Sequence, residues 1–282
     1  MRLKLSVLGL FVLLFQSCGI KENESDSKPN IIVILADDLG FSDLGCYGSE
    51  ISTPYLDSLA SAGILFTNFY NTSKCSPSRA ALLTGMYTHK AGLGGNVSHL
   101  DKPLSHGPYQ GYLSDSVMTI AEWLKGAGYH TGMSGKWHVG ERPQHWPQKR
   151  GFDEYFGLIS GASSYYEIIE GQKRKRQIVK DDTIWQPKDG FYMTDAITEY
   201  AIEFIKEYNE QPYFLYVAYT APHWPLHATE EVNNRYKGKY DKEWDEIRER
   251  RIATQNILNL LPKGTILSPM PDYIGAWDTI QD

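Results

Sequence analysis

Two continuous apolar stretches predict strands that are buried on both faces. They occupy residues 30–37 (NIIVILAD) and 213–219 (YFLYVAY). A run of this kind, without alternating polar positions, is typical of the central sheet of an α/β protein, where helices cover both faces. Two shorter stretches, at residues 64–70 and 129–134, predict further strands.

Apolar positions with helical spacing predict four helices between these strands. The first, at Pro54–Ala62, has proline in its first turn and is followed by glycine. The longest, at residues 193–208, carries its apolar side chains on one face, and the other two cover residues 78–83 and 116–127. Because strands and helices alternate, the sequence predicts an α/β fold with a layered central sheet.

Two stretches without such periodicity are predicted to be long surface loops. Residues 88–115 and 139–190 are rich in Gly, Pro, His and Tyr. Loops on a rigid scaffold often carry functional residues.

The composition is that of a globular protein with one substantial domain. The chain has 282 residues, of which 41% are hydrophobic and 22% are charged. Its formal net charge is −6, and it has no long basic face. We therefore expect no nucleic-acid partner, since an acidic protein is not steered toward a polyanion.

The first residues predict a targeting segment. Arg2 and Lys4 precede an apolar stretch at residues 5–15, which is too short to span a bilayer as a mature helix. The segment therefore has the features of a signal peptide and is left out of the fold prediction.

Cys18 is the candidate processing position of this signal. It follows a small residue and precedes Gly19, which resembles the site of a bacterial lipoprotein. We expect a lipoprotein-type signal peptide at residues 1–18, a polar tether at residues 19–28, and attachment to the cell envelope, in the periplasm or at the outer membrane, through a lipid on Cys18. A plain secretory signal with an incidental cysteine would instead give a periplasmic or secreted protein.

Cys46 and Cys75 are the cysteines that remain. Two cysteines do not make the disulfide framework of a small secreted domain, although a single bridge between them is compatible with the sequence. We expect Cys46 to be a small residue near a glycine-rich turn, which leaves Cys75 as the candidate functional residue.

Two adjacent carboxylates, Asp37 and Asp38, follow the first predicted strand. Open α/β sheets bind ligands beyond the carboxyl ends of their strands. Neighbouring carboxylates are costly unless a cation lies beside them, and their hard oxygens suit Ca²⁺ or Mg²⁺. A solvated turn, or Asp38 capping a following turn, is the alternative, and this pair alone favours that alternative.

Cys75 lies just before the predicted helix at residues 78–83, and Arg79 follows four residues later. A helix N-terminus lowers the pKa of a thiol and favours anions, and one helical turn places Arg79 on the side of Cys75. The guanidinium fork suits a tetrahedral oxyanion such as sulfate or phosphate. The alternative is a buried structural cysteine with Arg79 in a surface salt bridge.

Three more candidates follow later strands. Lys136 and His138 come after the strand at residues 129–134, and in extended backbone both would point to one side. A cation and an imidazole there could bind an anion and transfer a proton. His223 lies between two prolines after the strand at residues 213–219. Each histidine has a structural alternative, but the convergence of all these groups on strand ends and a helix start indicates an active site.

The segment CSPSRAALLTG at residues 75–85 matches a known signature at every fixed position: Cys or Ser, any residue, Pro, any residue, Arg, four residues, then Thr-Gly. PNIIVILADDLG at residues 29–40, GKWHVG at residues 135–140 and APHWPLH at residues 221–227 agree with the same family, in the same order. On these residues the chain resembles the type I, formylglycine-dependent sulfatases, in particular the bacterial arylsulfatases of the Pseudomonas type. The resemblance implies an alkaline-phosphatase-like fold, a central mixed sheet flanked by helices.

In that family the cysteine is not used as a thiol. The resemblance implies that a separate maturation enzyme oxidises Cys75 to Cα-formylglycine, whose hydrated gem-diol attacks the sulfur of a sulfate ester. Arg79 would hold the hydrated aldehyde, and Asp37, Asp38 and the modified Cys75 would bind Ca²⁺. The implied activity is hydrolysis of an aryl or carbohydrate sulfate.

The resemblance also assigns the residues that handle sulfate and protons. Lys136 would bind the sulfate group, His138 would take the hydroxyl proton that triggers collapse of the sulfated intermediate, and His223 would help to protonate the leaving group. The implied partners are a sulfated small molecule or glycan and the maturation enzyme, with the membrane contacted only through the N-terminal lipid.

One departure from the family concerns length. Family members continue with an Asp-Asn or Asp-His pair that completes the calcium site, and with a Lys that assists the leaving group. We find neither here, and therefore expect residues 29–282 to form an incomplete N-terminal catalytic domain with the C-terminal part of the fold missing. An inactive remnant and a lipid-anchored binder of sulfated ligands stay open as alternatives, whereas the signature at residues 75–85 argues against a phosphatase or phosphodiesterase of the same superfold.

Overall fold

The structure is a computed structural model that describes residues 28–97, 106–168, 176–241, 244–275 and 277–279. The predicted signal peptide and nearly all of the predicted tether lie outside these ranges, so both stay predictions. Within the described ranges, no helix combines the length and the apolar character that crossing a membrane requires.

The described chain contains six strands and six α-helices. The strands are β1 Ile31–Leu35, β2 His130–Gly135, β3 Glu154–Leu158, β4 Ile178–Lys180, β5 Thr183–Trp185 and β6 Tyr213–Ala218. The helices are α1 Pro54–Ala62, α2 Cys75–Thr84, α3 Ile120–Gly126, α4 Met193–Glu207, α5 Glu230–Tyr236 and α6 Trp244–Ile257. The predicted α/β class is therefore confirmed.

The strands form one mixed sheet in the order β1-β6-β2-β3-β4-β5. The first four run parallel, and β4 and β5 are antiparallel additions at one edge. Ala218 lies level with both Leu35 and Gly135 in the register. The carboxyl ends of β1, β6 and β2 therefore meet at one edge of the sheet, which is where an open α/β sheet binds its ligand.

The centre of the sheet is more deeply buried than its β1 edge. All six residues of β6 are buried, and on β2 the side chain of Phe204 from α4 packs against Gly132. On β1, by contrast, Ile32 is 44% exposed and Ile34 is 56% exposed. The prediction that this first strand is buried on both faces is thus wrong for one face, because β1 is an edge strand and no described element covers that side.

Two other predictions about secondary structure are wrong. Residues 64–70 form no strand, because this apolar stretch pairs with no described strand and its side chains are largely exposed, Ile64 at 81% and Phe69 at 78%. Residues 139–190 are not simply a surface loop, since they contain β3, β4 and β5. The last two strands have three residues each, which is too short for a recognisable period.

The helix that carries the signature also starts earlier than predicted. α2 begins at Cys75, three residues before the predicted start, so the cysteine is its first helical residue. α1 has the predicted bounds, and α4 ends one residue before the predicted limit. Helix ends are the least certain part of a prediction from local pattern.

Candidate active site

The active-site edge of the sheet depends on close contact between β2 and β6. Gly135, the last residue of β2, has φ +120°, and a Cβ atom there would lie 1.9 Å from the carbonyl oxygen of Ala218. Only glycine fits such an approach. The next residue, Lys136, donates its backbone N–H to the same carbonyl at 2.7 Å, which starts the segment that carries the lysine into the site.

One buried carboxylate holds two buried cations. Asp37 Oδ1 lies 3.2 Å from Nη2 of Arg79, and Asp37 Oδ2 forms an ion pair with Nζ of Lys136. Nη1 of Arg79 also donates to the carbonyl of Lys136 at 2.8 Å and lies 3.3 Å from the hydroxyl of Tyr216. These four residues, Asp37, Arg79, Lys136 and Tyr216, are called the inner wall below. All four are at most 5% exposed.

The charges of the inner wall favour an additional anion. Burial lowers the pKa of Lys136, the nearby charge of Arg79 lowers it further, and Asp37 acts in the opposite direction. Two cations share one carboxylate, so the cluster carries a net positive charge when both are protonated. Nε of Arg79 is also buried without a hydrogen-bond partner in the described residues. A bound oxyanion would offset the positive charge of the cluster and accept a hydrogen bond from Nε of Arg79.

Cys75 lies beside this cluster as the first residue of α2. Its Sγ, a carboxylate oxygen of Asp37 and a ring nitrogen of His223 all lie within 4.8 Å of one another. Cys75 is half-buried and unpaired, so the single bridge to Cys46 does not form. The alternative that placed Arg79 in a surface salt bridge is also wrong, since Arg79 is 1% exposed.

Asp38 and His223 lie at the mouth of the site, where more water reaches them. Asp38 has φ +62°, a conformation that aspartate tolerates better than most residues, and it is exposed. Its Oδ2 lies 3.6 Å from Nε2 of His223, while Nδ1 of His223 lies 2.5 Å from the carbonyl of Trp224. Lys74, the residue before Cys75, is exposed as well. We call Asp38, His223 and Lys74 the rim.

A tyrosine holds the turn that carries His223. The hydroxyl of Tyr165 lies 2.9 Å from the carbonyl of Thr220 and 2.7 Å from the carbonyl of His223. Tyr165 is 2% exposed, and burial raises its pKa to about 12, so the hydroxyl keeps its proton at neutral pH. The backbone N–H of Asp37 donates to the carbonyl of Ala221 in the same turn at 3.0 Å.

His138 is buried, and its backbone departs from the extended form that the sequence predicted. It is 4% exposed and has φ +52°, and its ring lies so close to Gly161 that a Cβ there would be 2.4 Å from Cε1. Like Lys136 and His223, it is not among the described residues that line the cleft at Cys75. The expectation that Lys136 and His138 point to one side assumed extended backbone, which the positive φ of His138 interrupts.

The cleft beside Cys75 has a volume of about 460 Å³. Its lining includes residues that the sequence did not single out, namely Asn71, Ser73, Lys74, Ser78 and Asn96. Tyr216 was missed as well, since it lies in an apolar strand and no local signal separates it from its neighbours. One feature of the sequence could have indicated that Lys74 lines the cleft, namely its position directly before Cys75.

The donor set can be tested against the calcium ion that the family resemblance implies. Asp37 offers carboxylate oxygens at the inner wall of the cleft, and Asp38 offers them at its mouth. Ca²⁺ prefers such hard oxygen ligands. Asp37 is already shared by two cations, so it is not a free ligand. Calcium takes six to eight oxygens. The two carboxylates therefore fit as part of a calcium site whose other ligands come from water, substrate or other residues.

Comparison with curated proteins finds sulfatases. The chain is 39% identical to an uncharacterized sulfatase of Schizosaccharomyces pombe over 92% of its own length and 50% of the relative. It is 36% identical to the arylsulfatase of Klebsiella aerogenes, over 90% of this chain and 55% of that protein. The chain thus spans about half the length of these relatives.

Comparison with solved structures gives the same result. The crystal structure of Ps i-CgsB in complex with k-i-k-neocarrahexaose matches 83% of this chain and 54% of its own, with 33% identity and a TM-score of 0.67. The structure of BT4656 in complex with its substrate D-glucosamine-2-N,6-O-disulfate matches 74% of this chain and 38% of its own, with 30% identity and a TM-score of 0.58. These neighbours share the alkaline-phosphatase-like fold, so the predicted fold class is confirmed.

The family model described as Sulfatase matches residues 29–276, which include the inner wall, the rim and Cys75. The predicted resemblance is therefore confirmed, and the chain belongs to the sulfatase family.

Proposed function

We propose that this chain carries the catalytic centre of a sulfatase that hydrolyses sulfate esters. One observation supports this most directly: Cys75 of the family signature lies at a helix start beside a buried cluster with two cations and one carboxylate. Such a cluster attracts an anion and holds it next to the residue at position 75. Because the chain spans about half of its relatives, the activity of the whole protein is part of the proposal.

The nucleophile is proposed to be formylglycine, made from Cys75 by a maturation enzyme. The hydrated aldehyde supplies a hydroxyl group in place of the thiol. Arg79 and Lys136 orient the sulfate group through their donors, and their burial strengthens this attraction because little water screens it. Asp37 and Asp38 are proposed to hold Ca²⁺, which would polarise a sulfate oxygen when bound.

Proton transfer is proposed to involve His223 and His138. A ring nitrogen of His223 lies within 4.8 Å of Sγ of Cys75 and of a carboxylate oxygen of Asp37, and its side chain is 24% exposed. We therefore take His223 as the group that protonates the leaving alcohol. The role of His138, removing a proton from the hydroxyl, is carried over from the family pattern.

The substrate is proposed to be a sulfated carbohydrate or an aryl sulfate. BT4656 has D-glucosamine-2-N,6-O-disulfate as its substrate, and Ps i-CgsB binds an oligosaccharide. The Klebsiella aerogenes relative is an arylsulfatase. Residues that hold the sulfate group form the inner wall, whereas residues that contact the alcohol lie further out and decide between these classes.

The proposal is tested by producing the chain together with a formylglycine-generating enzyme. The mass of the peptide that contains Cys75 measures its conversion, and rates are compared on 4-nitrophenyl sulfate, a sugar sulfate and 4-nitrophenyl phosphate. We expect sulfate hydrolysis that Cys75→Ala reduces at least about a thousandfold, because the variant has no nucleophile. Cys46→Ala is the matched control, since Cys46 is also half-buried and contacts the site nowhere.

Three results would contradict this function. A faster rate on the phosphate ester would favour the phosphatase alternative. Equal activity of wild type and Cys75→Ala would exclude the proposed nucleophile. Binding of sulfated sugars without hydrolysis, by a chain whose Cys75 is converted, would leave a binding protein in place of the enzyme.

A further inference from the structure

Lys74 is an exposed cation that the proposed reaction does not use. It directly precedes Cys75 and lines the same cleft. In the part of the chain that the structure describes, it forms no ion pair, in contrast to Arg79 and Lys136, which share Asp37. The backbone of Lys74 is extended, so this residue precedes α2 as its N-cap and is not part of the helix.

The surroundings of Lys74 are polar. Asn71, Ser73 and Asn96 line the same cleft as Lys74 and are exposed. The side-chain oxygen of Asn71 accepts a hydrogen bond from the backbone N–H of Ser73 at 2.7 Å, which fixes the orientation of its amide and leaves the NH₂ group as a donor. No aromatic ring lines this cleft among the described residues, so an aryl group would find no stacking partner there.

Lys74 differs from the two cations of the inner wall, Arg79 and Lys136, in what is available for it to bind. The inner wall already provides Arg79 and Lys136 for the sulfate group that is cleaved. The other acidic residue of the lining, Asp38, lies beside His223. Lys74 therefore lines the cleft without a counter-ion among the described residues.

We propose that Lys74 recognises a second anionic group, a sulfate or a carboxylate, on the alcohol part of the substrate. The second group would lie on the same sugar ring as the ester or on the neighbouring ring, because Lys74 and Cys75 are consecutive residues. Asn71 and Asn96 would contact sugar hydroxyls beside it. This inference rests on the proposed sulfatase function and narrows its substrate class to multiply charged glycans.

The test compares two sugars that differ only in the second sulfate. Values of kcat/KM are measured for a monosulfated monosaccharide and for the disulfated form of the same sugar, with wild type, Lys74→Ala and Lys90→Ala. Lys90 is an exposed lysine outside the cleft lining and serves as the matched control. The fraction of Cys75 converted is measured by mass for each variant and used to normalise the rates, since position 74 adjoins the modified residue.

We expect wild type to prefer the disulfated sugar about five- to tenfold, the range of a partly exposed, charge-assisted hydrogen bond. Lys74→Ala should remove this preference and leave kcat/KM for the monosulfated sugar within about twofold, while Lys90→Ala should change neither value. Added salt should shrink the preference in wild type and have little effect on that of Lys74→Ala.

Two results would overturn the inference. The first is an equal loss on both sugars in Lys74→Ala, which would mean that Lys74 acts on the cleaved sulfate. The second is the absence of any preference in wild type. If wild type hydrolyses neither these two sugars nor 4-nitrophenyl sulfate, the proposed function fails. The dissociation constants of the two sugars for wild type and Lys74→Ala, measured by calorimetry, still decide the role of Lys74.

Discussion

The inner wall and the rim of the cleft adjoin each other but are held in place differently. Asp37, Arg79 and Lys136 are buried, share direct ion pairs and come from β-strand ends and a helix. Asp38 and His223 are more exposed, and Oδ2 of Asp38 lies 3.6 Å from Nε2 of His223. Under the proposed function, this difference means that sulfate binding would be preorganised by packing, whereas contacts with the leaving alcohol would depend on turns that the surrounding structure has to position.

The largest effect is expected from removing the shared carboxylate of the inner wall. Asp37→Asn leaves Arg79 and Lys136 as buried charges without a counter-ion, which should cost about 3–5 kcal/mol of unfolding free energy. Asp38→Asn is the matched variant at the rim and should change stability by less than about 1 kcal/mol, because Asp38 is exposed. Urea denaturation of both variants measures this, and equal losses would show that the two regions are not held differently.

A smaller effect is expected from the tyrosine that positions His223. Tyr165→Phe keeps the ring but loses the hydroxyl that contacts the carbonyls of Thr220 and His223. If His223 protonates the leaving group, kcat should fall about tenfold for a sugar sulfate and little for 4-nitrophenyl sulfate, since a good leaving group needs less help. KM should be nearly constant.

Tyr166→Phe is the control for this prediction. The hydroxyl of Tyr166 donates to the carbonyl of Ala228 at 2.7 Å, away from His223. An equal fall of kcat on both esters, or the same effect in Tyr166→Phe, would assign Tyr165 a general structural role.

The smallest effect is expected from an ion pair that supports the loop after Asp38. Arg251 on α6 donates to both carboxylate oxygens of Glu50 at 2.8 Å and to Oδ1 of Asp43 at 2.6 Å. Asp43 also accepts a hydrogen bond from the backbone N–H of Gly40. The hydrogen bonds from Arg251 lower the pKa of Glu50 from 4.5 to about 2. The folded state therefore binds fewer protons than the unfolded state between these values, so the pair stabilises fully above pH 4.5 and loses its contribution as the pH falls toward 2.

Glu50→Gln should reduce stability at pH 7 by about 1 kcal/mol, a value discounted because the pair is partly exposed. It should also weaken the pH dependence of unfolding between pH 4.5 and 2. Glu231→Gln, which breaks the exposed pair with Arg235, is the control. It should change neither the stability at pH 7 nor the pH dependence of unfolding within error. Unfolding measured by denaturant at several pH values checks both, and parallel pH profiles of wild type and Glu50→Gln would refute the role of this pair.

The sequence determined much of the fold because several of its signals are local. The apolar stretches at β1 and β6 and the proline and glycine that bound α1 predict those elements well, since each depends on near neighbours in the chain. β3, β4 and β5 were not predicted, because short strands form only where another strand offers hydrogen-bond partners. The same reason explains why residues 64–70 form no strand despite their composition.

For the site, the sequence by itself determined which residue types are present and that the family signature contains Cys75 and Arg79. Only the tertiary structure decided how these residues meet. Asp37 and Lys136 are 99 residues apart in the chain, and the parallel register of β1, β6 and β2 brings them together. Packing also buried Arg79 and His138 and left Lys74 exposed. Burial and ion pairing are properties of surroundings contributed by distant segments, and local sequence patterns carry no information about them.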